Sequence, residues 1–249
     1  LATLAATLTL YLAVRWLDAE RERTSVHWPL LYALSAAGCL YAVYIAGLAP
    51  LVANLYALLA WWRIPPARRL GAAVRWLAAQ VAALALFLPW ALFAFGHTRT
   101  ASVAEPFGLR ALLTLYGTLL TVGASTNVER YVIYTLPFVA TLAGGLVTLW
   151  WQRRRRAEPG LPGAQAAWLL LLAVGTMPLV VYLLTRPRSF FYTPRVEARY
   201  LVLFAPTFAV FLGWSITRLG RRLWPLGLAA GAVCLAIALA SLPGYYQGR

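Results

Sequence analysis

The sequence predicts an all-α fold, a polytopic bundle of about eight transmembrane helices, and three observations carry that prediction. Of the 249 residues 62% are hydrophobic and only 12% are charged, whereas soluble domains carry about 25% charge. The mean hydropathy is +0.70, and the apolar residues fall in long runs and not in the alternation of half-buried strands. The charges that remain collect in short arginine clusters between those runs.

A helix needs about 20 residues to cross the hydrocarbon core, with about 17 as a practical minimum. By that ruler the spans cover residues 1–16, 28–44, 48–62, 73–95, 129–150, 166–185, 200–218 and 224–242. The first is short because the chain opens at Leu1 already inside an apolar run. The chain is therefore expected to be a C-terminal piece of a longer protein, with upstream spans missing and no visible signal peptide. Trp28 to Trp62 is a charge-free stretch of thirty-five residues, too long for one span, and Gly47 and Pro50 mark the expected hairpin turn.

The segment 96–128 is too long for a turn, yet its apolar part, 111–123, is too short to span. It reads as a helix lying at the interface and packed on the bundle. Thr114, Gly117, Thr118, Thr121 and Ser125 recur there at helical spacing, a small polar stripe that either lines a cavity or packs closely against another helix. Glu129–Arg130, at the head of the next span, reads as a structural pair with its neighbours.

Orientation follows from arginine, which supplies all 22 basic residues because lysine is absent. Clusters at Arg15, Arg21 and Arg23, at Arg63, Arg68 and Arg69, at Arg153, Arg154, Arg155 and Arg156, and at Arg218, Arg221 and Arg222 are separated by even numbers of spans. All thirteen fall on one face, which the positive-inside bias makes cytoplasmic. The turn at Gly47, the segments 96–128 and 186–199, and the tail "GYYQGR" face the other side.

Segment 186–199 breaks the bias. Within fourteen residues it carries Arg186, Arg188, Arg195 and Arg199 against one acid, Glu197. Either this loop is an exception to a statistical rule, or its guanidiniums meet an anion at the outer membrane surface. Guanidinium presents a planar fork of donors matched to phosphate and keeps its charge when partly desolvated. Phe190, Phe191 and Tyr192 beside them are the aromatics expected at headgroup depth. The arginines therefore predict a lipid-phosphate site: Arg195, Arg199 and Tyr200 nearest the phosphate, with Arg186 and Arg188 more solvated.

Other functions are excluded by composition and motif. A net charge of +15 spread as punctuation between apolar runs points to anionic headgroups and not to nucleic acid. No glycine-rich phosphate loop, HExxH or CxxC occurs; "LAGGL" at 142–146 is a packing feature, and Cys39 and Cys234 sit inside apolar runs. No cofactor or metal is implied. The inner loops leave no room for a nucleotide-binding domain, so any chemistry uses a membrane-borne or extracytoplasmic substrate.

The run "RSFFYTPRVEARYLVLFAPTFAVFLGWSI", with Pro194, Arg199, Tyr200, Pro206 and Gly213, resembles the late outer loop and following span of bacterial GT-C glycosyltransferases, the polytopic enzymes similar to protein O-mannosyltransferases and the aminoarabinose transferase. "LLYALSAAGCLYAVYIAGLAPLVANLYALL" is similar to a helical hairpin of that family, and "LPWALFAF" before a polar loop is also familiar; a histidine often found near the Tyr41–Tyr44 stretch of the family has no counterpart here.

The resemblance implies an integral-membrane glycosyltransferase, placed in the cell membrane with its active site facing the extracytoplasmic side. It would transfer a sugar, with inversion, from a polyprenyl-phosphate-linked donor to an acceptor on that side. In that family a carboxylate in the first outer loop deprotonates the acceptor, so the base is expected upstream of Leu1, with Glu105 the first candidate should one lie within this chain. An O-antigen ligase or polymerase, which would also use outer-loop arginines, and a polytopic transporter or flippase are the alternatives. A transporter should show repeats and charged midplane helices, and no acid lies deep within a span.

The topology predicts its own test. Cysteines placed at Ser102 and Ser189 should react with a membrane-impermeant reagent in intact cells, and one at Gln152 should not. Reaction at Gln152 would overturn the assignment of faces.

Overall fold

The computed structural model describes residues 1–22, 27–97, 108–123, 128–156, 164–185, 201–221 and 223–247. Every regular element among them is a helix. The contacts divide into two compact units, one built on Leu1–Ser102 and the other on Val103–Ser189 with Thr193–Arg249. Six helical segments are long and apolar enough to cross a membrane: Ile45–Arg63, Pro66–Ala94, Val128–Gln152, Gln165–Leu183, Val202–Gly220 and Trp224–Ser241. Their outward surfaces are apolar. On the fourth helix Leu70, Val74, Leu77, Val81, Leu84, Leu88 and Leu92 are all exposed, a stripe that water would not tolerate. The chain is thus a multi-pass membrane protein.

The first unit comprises α1 (Ala2–Glu22), α2 (Trp28–Ala42), α3 (Leu48–Ala60) and α4 (Pro66–His97). Side-chain pairs fix their directions. Thr9 Oγ1 lies 2.7 Å from Ser35 Oγ and Trp16 faces Tyr32, so α1 and α2 are antiparallel. Tyr32 meets Trp76 and Gln80, while Tyr41 meets Phe87 and Trp90, so α2 and α4 run parallel. The Trp76 indole donates to Asn54 Oδ1 at 2.8 Å, joining α3 to α4 across the short connection at Ile64 and Pro65. The chain alternates direction through all four helices, and one end of the unit collects Arg15, Arg63, Arg68, Arg69 and Arg75.

That end is held by an aromatic cluster and one ion pair. Trp16 stacks on Trp76 with ring centroids 4.6 Å apart, and both touch Tyr32. Glu20 accepts from the Trp16 indole at 3.0 Å and from Arg75 Nε at 2.8 Å, with Arg75 Nη2 on its second oxygen. Burial pushes the Glu20 carboxyl up, but the bonds from Arg75 and Trp16 and the charges of Arg75 and Arg68 outweigh it, leaving the group below its ordinary value.

The second unit comprises α5 (Leu109–Thr121), the single turn α6 (Val128–Tyr131), α7 (Leu136–Arg156), α8 (Ala164–Thr185), α9 (Ala205–Gly220) and α10 (Trp224–Gln247). The helices α7 and α9 run parallel: Phe138 packs with Phe208, Gly145 meets Ser215, and Arg218 donates to Gln152 Oε1 at 2.6 Å. Antiparallel α8 packs on α7 through Leu149 and Ala167, and Cys234 of α10 joins the Phe138–Phe208 cluster.

Two glycines set the closest approaches. A Cβ on Gly145 would lie 2.6 Å from Ser215 Oγ and 2.8 Å from Ser215 Cα; one on Gly227 would lie 2.6 Å from Gly220 Cα. Without a strong hydrophobic drive between helices in lipid, such close backbone packing is a main source of association.

Several expectations shift. The hairpin of α2 and α3 keeps its turn, but the break falls at Val43, which is extended, followed by a 3₁₀ turn over Tyr44–Gly47. Pro50 lies in the first turn of α3, where its missing N–H has no helical acceptor to disappoint. The loops read at 17–27, 63–72, 151–165 and 219–223 are partly helical: α1 runs to Glu22, α4 starts at Pro66, α7 reaches Arg156 and α9 reaches Gly220. Arginine and alanine favour helix, and the helix runs on past the hydrocarbon while arginine heads reach water.

Of the eight expected spans, six meet the length and hydropathy of a span; α2 has 15 residues, and α1 carries Arg15, Asp18 and Glu20 in its last two turns. Of the stripe on α5, Thr118 packs inward and Thr114, Gly117 and Thr121 are half-buried. The Thr118 hydroxyl is buried and bonds back to its own helix, and a Cβ on Gly117 would lie 3.8 Å from a Thr135 methyl, while Leu112, Leu115 and Leu119 also face inward. Ser125 lies outside the described residues.

Two outcomes follow. Gly145→Ala should destabilise the second unit by about 1–3 kcal/mol through the clash with Ser215, whereas Gly213→Ala, with nothing within 4 Å of the added methyl, should be neutral or stabilising; thermal unfolding in detergent reads both. Because the Glu20 carboxyl is lowered on folding, its contribution to stability is complete above the ordinary value of 4.5 and disappears as pH falls through the lowered one. Glu20→Gln should flatten that acid limb of the stability profile, and an unchanged profile would refute the ion pair's role.

Candidate functional site

The residues that the sequence singles out, Arg186, Arg188, Arg195, Arg199, Tyr200 and Glu105, lie outside the described residues. The chain resumes at Leu201, fully buried, which leads into a 3₁₀ turn over Val202–Phe204 and then into α9. Since α7 and α9 run parallel with Phe138 beside Phe208, the head of α9 stands level with the head of α7. This end is opposite the one where Arg154, Arg218 and Arg221 are found.

At the head of α7 the second unit opens a cleft of about 420 Å³, lined by Val122, Arg130, Tyr131, Tyr134, Ala236, Ile237, Ala240 and Ser241. Its construction is local. Gly123, with φ at 72°, takes the left-handed conformation that ends α5 and turns the chain away. The turn α6 and the 3₁₀ turn Val132–Thr135 then bring Tyr131 and Tyr134 to one side, ring centroids 6.1 Å apart. Pro137 at the second position of α7 restarts a regular helix without losing a bond. The back wall is α10, where the Ser241 hydroxyl lies 2.7 Å from the Ala238 carbonyl and 3.3 Å from that of Val122, tying α10 to the end of α5.

The resulting surface has two characters. Arg130 is exposed, and among the described residues no ion pair engages it; Glu129 beside it is exposed as well. A guanidinium fork and two phenols can each donate to an oxyanion or to sugar hydroxyls. Ala236, Ile237 and Ala240 offer the apolar side to hydrocarbon. Such a cleft can bind and orient an anionic amphiphile and hold charge that develops on its phosphate.

The structure thus adds the cleft to the reading of Arg130 as half of a structural pair. The signal that identifies it is a repeat. "RYVIYTLP" from Arg130 to Pro137 and "RYLVLFAP" from Arg199 to Pro206 share Arg–Tyr followed at the same spacing by proline. Each proline occupies the second position of a helix preceded by a 3₁₀ turn, and those two helices are the parallel, packed neighbours α7 and α9. The pattern carries on to the far ends, where Arg154 covers Trp150 and Arg218 covers Trp214, each pair four residues apart. Tyr134 and Ser241 carry no such signal, since their roles depend on where α10 packs.

No protein-family model matches the chain, and neither a curated protein nor a solved structure is similar to it.

Proposed function

We propose that the chain belongs to a membrane glycosyltransferase that transfers a sugar, with inversion, from a polyprenyl-phosphate-linked donor to an acceptor on the extracytoplasmic side. One observation carries the reading: two Arg–Tyr heads, Arg130–Tyr131 and Arg199–Tyr200, precede parallel neighbouring helices at the end of the second unit remote from its arginine clusters. Arginine at the outer end of a span is expensive without an anion, and Glu197 alone leaves the charge of segment 186–199 unbalanced.

In this reading Arg195, Arg199 and Tyr200 hold the donor phosphate, Arg130 and Tyr131 support it, and Arg186 and Arg188 act from solvent. As the bond from the anomeric carbon to the phosphate oxygen breaks, these donors stabilise the departing lipid phosphate. The lipid's first apolar groups lie along the α10 wall of the cleft. The acceptor's proton passes to a carboxylate, for which Glu105 is the candidate within this chain.

The test is transfer from a radiolabelled lipid-linked sugar in membranes containing the full-length protein, normalised to protein level. Arg195→Ala and Arg199→Ala should each lose about a hundredfold in rate, and Arg199→Lys should also be impaired because an ammonium cannot reproduce the fork. Arg130→Gln should raise the donor concentration needed for half-maximal rate. Arg188→Ala should change little, since exposed charge contacts are weak. Wild-type turnover in both Arg195→Ala and Arg199→Ala would refute the phosphate site, and movement of the lipid across the bilayer without sugar transfer would favour a transporter.

A further inference from the structure

The arginine-rich end of the second unit carries a separate cleft, of about 230 Å³, between α7 and α8. Leu146, Leu149 and Trp150 line it from one helix and Ala167, Trp168 and Leu171 from the other. The two tryptophans are half exposed, at 54% and 45%, so the cleft opens sideways at its aromatic rim, and it contains no charged side chain. Arg154 stands one turn beyond, its guanidinium 3.8 Å from the Trp150 ring centroid.

We infer that this cleft binds one anionic glycerophospholipid of the leaflet on the arginine-rich side, an acyl chain between α7 and α8 and the phosphate on Arg154. Stacking on Trp150 covers one face of the guanidinium and leaves its N–H edge available, the geometry in which arginine forks a phosphate. Among the described residues Arg154 donates no hydrogen bond, and neither the Trp150 nor the Trp168 indole N–H has an acceptor. Two exposed indoles at the cleft, one of them stacked under the Arg154 cation, make a rim that suits a phosphodiester, and indoles settle at headgroup depth. The walls below are alkyl and match hydrocarbon.

Charge decides between occupants. Arg153, Arg155 and Arg156 share the last turns of α7 with Arg154, so the concentrated positive charge would repel a second copy, and a zwitterionic lipid would gain less than an anionic one. Helix-dipole stabilisation accounts for arginines at the C-terminus of α7, but not for an apolar cleft opening beside them. This site is independent of the proposed transfer reaction, since it lies at the opposite end of the unit.

The experiment uses the full chain in detergent with equimolar phosphatidylglycerol and phosphatidylcholine of identical acyl chains, and native mass spectrometry counts the lipids retained. The wild type should retain phosphatidylglycerol preferentially, and Arg154→Gln should reduce that preference about fivefold. Trp168→Ala should weaken retention of phosphatidylglycerol, with Trp168→Phe recovering most of it, while Arg110→Gln on α5 should leave the ratio unchanged. Equal retention of the two lipids by the wild type would overturn the inference. So would a preference unmoved by Arg154→Gln or Trp168→Ala, displacement by inorganic phosphate alone, or a protein dimer that excludes the lipid.

Discussion

Hydrocarbon offers no hydrogen bonds, and the internal arrangement of this protein answers to that single condition. A polar backbone group left open in the bilayer has no water to turn to. Two prolines inside spans create such openings. Pro178 removes the donor for the Val174 carbonyl four residues earlier, and the Tyr116 hydroxyl, arriving from α5, donates to that oxygen at 2.8 Å. In the first unit Pro89 loosens α4, and Tyr41 donates to Leu86 O in the turn just before it, also at 2.8 Å. The same condition explains the buried hydroxyls. Thr9, Thr118 and Thr141 each bond to a carbonyl of their own helix, and Thr9 then reaches Ser35 and Cys39 across the helix interface.

Charge follows the opposite logic and goes to the ends. The arginine-rich end of the first unit pairs its cations with indoles and with Glu20, so that Arg15 lies over Trp28 and Arg69 over Trp62. In the second unit Arg154 and Arg218 do the same on Trp150 and Trp214. Arginine stems remain along the apolar surface while the heads sit at headgroup level, where cation–π contact replaces part of the hydration lost. Arg130 is the departure, because it sits at the other end with phenols for neighbours and, among the described residues, carries no such indole cover.

Much of the architecture was legible because hydropathy and arginine placement act through solvent partition, which is a property of segments and survives ignorance of packing. All eight runs became helices, and the four clusters mark helix ends. What sequence misplaced were boundaries, since a hydropathy ruler reports where hydrocarbon ends and the helix continues past it. The break at Val43 escaped notice for another reason: Gly47 and Pro50 are the usual turn residues, yet the chain bends where an extended residue precedes a 3₁₀ turn. The cleft at Arg130 was only half legible. Its Arg–Tyr head repeats in the sequence, but Ser241 and Ile237 reach it from more than a hundred residues away, through packing that no local pattern encodes.

The contact between Gly220 and Gly227 bears on how far α9 and α10 can move. A Cβ on Gly227 would meet Gly220 Cα at 2.6 Å and the Ile216 carbonyl at 3.0 Å, so the backbones of α9 and α10 touch within two turns of their junction. Main chain pressed against main chain has no side chain between to yield, so sliding α10 along α9 at this end would drive backbone atoms into one another. The pair of glycines is thus a pivot as much as a packing contact.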